Sequence, residues 1–221
     1  MGKRTLYPLL VAGTMVVGGL LAGVTSASAS SPCEVSAGVT QDANTVTGTA
    51  GDDTIDCTSA SGGKTINGLA GNDTMTGSQF ADKINGGDGN DTSTGLRGKD
   101  SIIAGEGNNT STGSEGIDTL SSGAGADTLT GSEGNDTLTS TEGDDTLTGS
   151  AGNDKLTAGG GADKLDGSNG VDTLNGGTGG DTLVGPAADG SVDTLNGDAD
   201  EDTCTIALPD GDIRNSCELV G

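Results

Sequence analysis

Residues 131–157 repeat one nine-residue pattern three times, as GSEGNDTLT, STEGDDTLT and GSAGNDKLT. Each copy has Gly at its fourth position, Asp at its sixth and Leu at its eighth. No helix has this period, because an α-helix turns once every 3.6 residues. A fixed period of this kind is typical of stacked-repeat architectures and not of closed globules. The stretch therefore predicts a solenoid.

The pattern extends well beyond these three copies. Thirteen consecutive units cover residues 68–184 without insertion. The fourth residue is Gly in twelve of the thirteen, with Phe80 the exception, and the sixth is Asp in twelve, with Asn109 the exception. The eighth is Met, Ile or Leu in eleven units, and Ser93 and Ser111 interrupt that series.

A second period of eighteen residues appears at the second position of the unit. That residue is Gly in one set of units and Ser in most of the intervening ones: Gly87, Gly105, Gly123, Gly159 and Gly177, against Ser78, Ser114, Ser132, Ser150 and Ser168. Two units therefore make one turn with two non-equivalent edges. The Gly-rich first six residues suit a bend. The last three, such as Thr-Leu-Thr, suit a strand with one apolar side chain inward, and stacked turns would pair as parallel strands about 4.8 Å apart.

This stacking places the aspartates in two columns. One contains Asp73, Asp91, Asp127, Asp145, Asp163 and Asp181, completed by Asn109; the other contains Asp82, Asp100, Asp118, Asp136, Asp154 and Asp172, extended by Asp193. Carboxylates at this spacing repel by about 1 kcal/mol per neighbouring pair even at the dielectric of water. One buried Leu contributes roughly 1.5–3 kcal/mol, whereas ordering nine residues costs on the order of 9–18 kcal/mol of backbone entropy. A cation between successive bends is therefore expected.

The ligands on offer favour calcium as that cation. Asp carboxylates and the carbonyls of Gly-rich bends supply oxygen alone, and calcium accepts six to eight oxygens in flexible geometry, whereas magnesium demands a stricter octahedron. Softer metals would require His or Cys. The predicted metal ligands are Asp53, Asp73, Asp82, Asp91, Asp100, Asp118, Asp127, Asp136, Asp145, Asp154, Asp163, Asp172, Asp181, Asp193 and Asp202.

Two units carry a family resemblance. GGDGNDTST at 86–94 and GGTGGDTLV at 176–184 resemble the nonapeptide G-G-x-G-x-D-x-U-x of the RTX, or hemolysin-type, calcium-binding repeat family. The resemblance covers roughly residues 48–205. It implies an all-β fold, a right-handed parallel β-roll, with several calcium ions bound in the bends through each Asp and nearby backbone carbonyls. It also implies a chain that folds when it meets extracellular calcium.

The chain departs from this family in places. RTX proteins usually leave the cell by a C-terminal signal and lack cysteine, whereas here an N-terminal signal and four cysteines are present. The exceptions Phe80, Ser93, Asn109 and Ser111 fall close together. They argue against strong metal binding and tight core packing around residues 77–112.

The N-terminus has the order of a secretory signal. Lys3 and Arg4 precede an apolar run over residues 9–24 and the small-residue motif ASA at 27–29. This order predicts cleavage after residue 29 and a secreted, extracellular protein with no membrane insertion after cleavage. The alternative is an uncleaved anchor, which the short run disfavours.

The four cysteines suit an oxidising compartment. They allow three pairings. Cys33 with Cys57 and Cys204 with Cys217 are favoured because the other two pairings would have to bridge the length of the chain. The expected organisation is a signal peptide over 1–29, an N-terminal cap over 30–47, calcium-binding repeats over 48–205 and a C-terminal cap over 206–221.

Composition excludes several functions. The net charge is −24, from 33 acidic and 9 basic residues, so nucleic acid would be repelled. No His is present and no G-x-S-x-G occurs, and with one Phe, one Tyr and no Trp there is no aromatic platform for a glycosidase. No enzymatic activity is expected. Composition alone also fits a disordered acidic chain, which the strict repeat disfavours.

The prediction is a secreted calcium-binding repeat protein with a structural or adhesive role outside the cell. Thr-x-Thr triplets recur every eighteen residues: Thr74/Thr76, Thr92/Thr94, Thr110/Thr112, Thr128/Thr130 and Thr146/Thr148. They would form a flat two-column ladder like those of ice-binding β-solenoids, although Thr also simply suits an exposed strand. The alternatives are thus an ice-binding or matrix-binding solenoid, and a non-catalytic remnant or partner of an exoenzyme.

Overall fold

The structure is a computed structural model that describes residues 32–185, 191–205 and 211–217. The predicted signal segment, residues 1–29, lies outside these ranges, as do parts of the predicted C-terminal cap. Within the three described ranges there is no helix of the length and apolar character needed to cross a membrane.

The described chain is built from short strands and bends. In chain order the strands are β1 (Glu34–Val35), β2 (Thr40–Gln41), β3 (Thr45–Thr47), β4 (Thr54–Asp56), β5 (Thr65–Ala70), β6 (Thr74–Thr76), β7 (Lys83–Asp88), β8 (Thr92–Gly98), β9 (Ser101–Glu106), β10 (Thr110–Gly116), β11 (Thr119–Ser121), β12 (Thr128–Glu133), β13 (Thr137–Thr139), β14 (Thr146–Ala151), β15 (Lys155–Gly160), β16 (Lys164–Asn169), β17 (Thr173–Thr178), β18 (Thr182–Val184), β19 (Thr194–Ala199), β20 (Thr203–Thr205) and β21 (Ile213–Asn215).

Alternate strands belong to two different sheets. Sheet A has ten strands, in the order β1-β4-β6-β8-β10-β12-β14-β16-β18-β20, and sheet B has eleven, in the order β2-β3-β5-β7-β9-β11-β13-β15-β17-β19-β21. All pairs are parallel except β1 with β4 and β2 with β3, which are antiparallel and close the N-terminal end. The predicted all-β parallel solenoid is confirmed.

Successive turns pair so that equivalent residues of the repeat are direct neighbours. Leu129 of β12 pairs with Leu147 of β14, eighteen residues later, which confirms the turn of two units. The separation widens to 21 residues between β17 and β19, where Leu174 pairs with Leu195. The extra residues leave the register of the sheet intact.

Each sheet contributes one column of buried side chains to a thin core. Sheet A contributes Ile55, Met75, Ser93, Ser111, Leu129, Leu147, Leu165, Leu183 and Cys204, and sheet B contributes Val46, Ile66, Ile84, Ile102, Leu120, Leu138, Leu156, Leu174 and Leu195. The sheet A column is interrupted where Ser93 pairs with Ser111, and neither buried hydroxyl has a hydrogen-bond partner. The expectation of looser packing near these residues agrees with this gap.

Two disulfides lie near the ends of the solenoid. Cys33 is bonded to Cys57 and Cys204 to Cys217, so the favoured pairing is confirmed. Cys33, Cys57 and Cys204 are also buried in the core cluster, so each bond ties a terminal segment to the hydrophobic column.

The bends require glycine at the fourth position of the unit. Gly134 has a φ of +141°, in the region that residues with a side chain rarely adopt. A Cβ built on Gly134 would also overlap the carbonyl oxygen of Gly116, one turn earlier. Both the backbone conformation and the close approach of the turns therefore explain the fourth-position Gly.

Replacing Gly134 with Ala is expected to destabilise the fold. A side chain in this region costs about 1–3 kcal/mol, and the overlap with Gly116 adds to that cost. Gly62→Ala is the matched control, because a Cβ there meets nothing within 4 Å. Thermal unfolding followed by circular dichroism in excess calcium would measure both. Equal melting temperatures for the two variants would contradict the assigned bend geometry.

Candidate metal sites in the bends

The predicted ligands lie on the two edges of the solenoid. Edge 1 is the set of bends that lead from sheet B into sheet A, and edge 2 the set that lead from sheet A into sheet B. Edge 1 carries Asp53, Asp73, Asp91, Asp127, Asp145, Asp163, Asp181 and Asp202, with Asn109 in the same column. Edge 2 carries Asp82, Asp100, Asp118, Asp136, Asp154, Asp172 and Asp193. Every one of them is buried.

One carboxylate oxygen of each Asp joins consecutive turns. The backbone N–H of Asp118 donates to Oδ1 of Asp136, eighteen residues later, at 2.7 Å. Oδ1 of Asp118 itself accepts the N–H of Asp100 at 2.8 Å. The carbonyl of Asp118 accepts the N–H of Thr137 at 2.9 Å. The columns are thus continuous hydrogen-bonded ladders, in which Oδ1 has a structural role.

The other carboxylate oxygen has no donor in most bends. Oδ2 is buried and without a hydrogen-bond partner in Asp73, Asp91, Asp100, Asp118, Asp127, Asp136, Asp145, Asp154, Asp163, Asp181 and Asp202. A buried charge without a partner is strongly unfavourable. These oxygens therefore require either a proton or a cation.

Asn109 shows what lies opposite such an oxygen. Its Nδ2 donates to the carbonyls of Gly105 at 3.1 Å and Gly107 at 3.0 Å. Its Oδ1 accepts the N–H of Asp91 like any other member of the column. The amide nitrogen occupies the side-chain position that Oδ2 holds in an aspartate. In an Asp bend of the same shape, Oδ2 would therefore face two carbonyl oxygens.

Oxygens from two successive turns also lie around the same point in these bends. A methyl group built on Gly131 would run into Oδ2 of Asp136 and lie 2.9 Å from the carbonyl oxygen of Gly149, one turn further on. In the described part of the chain no three carboxylate, Cys or His side chains converge as a metal cluster. An ion held here would therefore be bound by carboxylate and backbone oxygens together. That donor set suits calcium.

The carboxylates also hold raised pKa values. Burial raises the pKa of Asp100 to about 7 and those of Asp136 and Asp163 to about 6, from the ordinary 3.8. The ladder N–H opposes the rise, while the neighbouring carboxylates of the column add to it. The pKa is also raised, mainly by burial, at Asp73, Asp91, Asp118, Asp145, Asp154 and Asp181. Without a cation, the ladders favour protons.

Two predicted ligands differ from the rest. Both oxygens of Asp53 and of Asp82 accept hydrogen bonds from protein donors. Burial raises the pKa of Asp53, but bonds from Thr49 and Ser36 outweigh it and leave the pKa below 3.8. The geometry of these two bends gives a cation less to bind.

Sequence reasoning missed two members of the edge 2 column. Asp212 accepts the N–H of Asp193 at 2.9 Å and also has a buried, unpartnered Oδ2. Lys64 stands at the other end, where its N–H donates to Oδ1 of Asp82. Asp212 follows Asp193 by nineteen residues, so it lies outside the regular spacing. Lys64 keeps the spacing, eighteen residues before Asp82, but it is not an aspartate, so the repeat gave no ligand signal there.

The raised pKa values predict how the melting temperature depends on pH without calcium and with it. In calcium-free buffer the folded chain binds more protons than the unfolded chain between about pH 4 and about pH 7. Its melting temperature should therefore fall as the pH rises through this range. In excess calcium the cation replaces the proton, so the increase in melting temperature caused by calcium should grow with pH. A calcium-free melting temperature that rises over the same range would refute the assignment.

Exchanging Asn and Asp tests the role of Oδ2 directly. Asn109→Asp replaces a donor that faces two carbonyls by an acceptor, which costs about 1–3 kcal/mol or more when unsatisfied. We expect a lower melting temperature without calcium and a larger increase on adding it. Asp127→Asn, one turn later, is the reciprocal control and should shift both quantities in the opposite direction. Calorimetry at several calcium concentrations measures both, and shifts of the same sign would contradict the scheme.

Comparison with known families agrees with this geometry. The family model of the RTX calcium-binding nonapeptide repeat, in four copies, matches residues 40–56, 67–102, 85–120, 103–138, 112–147, 139–174 and 148–183. No curated protein matches the sequence. The matched residues make up more than half of the chain and include most of both Asp columns. The chain belongs to the RTX calcium-binding nonapeptide repeat family.

Proposed function

We propose that this chain is a secreted calcium-binding protein that orders when calcium enters its bends, and that it has a structural or adhesive role outside the cell. The single observation that carries the proposal is the series of buried Oδ2 atoms without donors along both edges. These oxygens repel one another and the bend carbonyls until a cation lies between them. Asp residues from Asp73 to Asp202 would hold the ions together with backbone carbonyls.

Secretion is supported by two features of the chain. Residues 1–29 have the order of a signal segment. The disulfides Cys33–Cys57 and Cys204–Cys217 are of the kind that forms and persists in oxidising compartments. Calcium is abundant outside cells, so an exported chain would order where it is needed.

The calcium requirement is tested by titrating the mature chain, residues 30–221. Circular dichroism in chelated buffer at pH 8 should show a β signal well below that of the calcium-loaded chain, and calcium should restore the full signal cooperatively. Magnesium at the same concentrations should be much less effective, because it loses its water reluctantly and demands octahedral geometry. A full β signal and an unchanged melting point after exhaustive chelation would overturn the proposal.

A second candidate function is favoured by the outer face of sheet A. Thr74, Thr92, Thr110, Thr128 and Thr146 pair in one row, and Thr76, Thr94, Thr112, Thr130 and Thr148 in a second. We call these ten residues the threonine face. It carries no charged residue over five turns of a chain with a net charge of −24. A neutral, regular array of hydroxyl groups suits a regular solid such as ice or a matrix polymer.

A bulky substitution separates this candidate from a simple polar surface. Thr128→Tyr in the middle of the threonine face should abolish ice recrystallisation inhibition, or adsorption to a matrix polymer, without changing the calcium-dependent fold. Thr137→Tyr on sheet B, between Thr119 and Lys155, is the matched control and should retain the activity. If the unmodified protein affects neither ice nor polymer, the face is only a solvated strand surface.

A further inference from the structure

The first bend of edge 1 closes on its own carboxylate. The N–H of Thr49 donates to Oδ2 of Asp53 at 2.6 Å, and the Thr49 hydroxyl donates to the same oxygen at 3.0 Å. The hydroxyl in turn accepts the N–H of Gly51 at 3.2 Å. The Ser36 hydroxyl donates to Oδ1 at 2.8 Å. Asp53 therefore has a full set of donors from the protein.

A bend on edge 2 repeats this arrangement. The N–H of Ser78 donates to Oδ2 of Asp82 at 2.6 Å, and the Ser78 hydroxyl donates at 3.0 Å. The hydroxyl accepts the N–H of Phe80 at 3.2 Å. Neither Ser78 nor Thr49 has a positive φ. We call these two bends, residues 48–53 and 77–82, the closed bends.

The remaining Ser-containing bends are built differently. Ser132 occupies the position of Ser78 three turns later, but it has a φ of +89°, and Oδ2 of Asp136 has no donor. The same holds for Ser114 with Asp118 and for Ser150 with Asp154. The residue type is thus unchanged while the backbone conformation decides whether the hydroxyl reaches the carboxylate.

Lys64 removes a further carboxylate from the start of edge 2. It occupies the column place before Asp82, is buried, and its ammonium group donates to the carbonyl of Ala43. Asp82 consequently has a like-charged neighbour, Asp100, on one side only. Of the first four bends, only that of Asp73 has an Oδ2 without a donor.

The same turns hold a complete apolar core. Val46, Ile55, Ile66, Met75 and Ile84 are buried in one cluster with the Cys33–Cys57 disulfide. The next core residue of sheet A is Ser93, whose hydroxyl has no partner. Residues 33–85 therefore combine a disulfide, an unbroken core and four bends of which only that of Asp73 has a carboxylate oxygen without a donor, and we call them the N-terminal segment.

We propose that the N-terminal segment folds without calcium and is the template onto which calcium adds the later turns, in the direction of the C-terminus. The inference rests on the proposed calcium-dependent function and specifies its order along the chain. In a solenoid each turn contacts only its neighbours, so a preformed turn removes the cost of nucleation for the next. The bends from Asp118 onward in which Oδ2 has no donor, which we call the open bends, supply the calcium dependence.

Hydrogen exchange with mass spectrometry on the mature chain, residues 30–221, tests the order. In calcium-free buffer at pH 8, peptides within 45–85 should exchange at least about tenfold more slowly than peptides within 118–183. Calcium should protect both regions. If both exchange freely without calcium and are protected with it, the template is wrong and the proposed function stands. If both are protected without calcium, the proposed function fails.

Two variants identify the cause. Ser78→Ala removes the hydroxyl of a closed bend, and protection of 45–85 without calcium should fall about tenfold or more, because a bond to a charged group is lost. Ser132→Ala, at the same place in an open bend, should leave that protection unchanged. Earlier protection of 118–183 than of 45–85 at low calcium, or equal effects of the two variants, would overturn the inference.

Discussion

The fold depends on what happens to a carboxylate oxygen that is buried without a hydrogen-bond donor. Each Asp of the two columns after Asp53 uses Oδ1 to accept a backbone N–H of the preceding turn, and this bond requires the side chain to point inward. Oδ2 is carried inward with it. The carboxylate that joins the turns through Oδ1 is therefore also the group whose Oδ2 introduces repulsion between them. A cation or a proton must offset this repulsion.

The thin core explains why hydrophobic burial cannot offset the repulsion between these carboxylates. Most strands contribute a single large buried side chain, such as Leu147 of β14, to the interior. A larger domain could tolerate a few uncompensated charges because many apolar contacts would offset them. Here the ratio of buried carboxylates to buried aliphatic side chains is close to one, so the electrostatics of the bends decide whether a turn is stable.

The sequence predicted those features that depend on the period. The two sheets, the turn of eighteen residues and the two Asp columns follow from it because every unit contributes the same contacts. The features it did not predict depend on conformation within one unit. Ser78 and Ser132 occupy equivalent positions, yet only Ser78 bonds to its Asp. The repeat marks Asn109 as an exception, but its bonds to Gly105 and Gly107 depend on the backbone conformation of the bend, which the period does not specify. Asp212 joins the edge 2 column through a segment of irregular length, and Lys64 holds a regular place in that column with a different residue type.

The Asp ladders have a consequence for how such a chain can change in length. Between Lys64 and Asp181 every ladder bond runs from one residue to its equivalent eighteen residues later, and the strand pairs of this region repeat with the same offset. Duplicating an eighteen-residue block between the disulfides would create only junctions of a kind already present. Gene duplication could thus extend the molecule one turn at a time, while the two ends, which differ from the interior, would stay as they are.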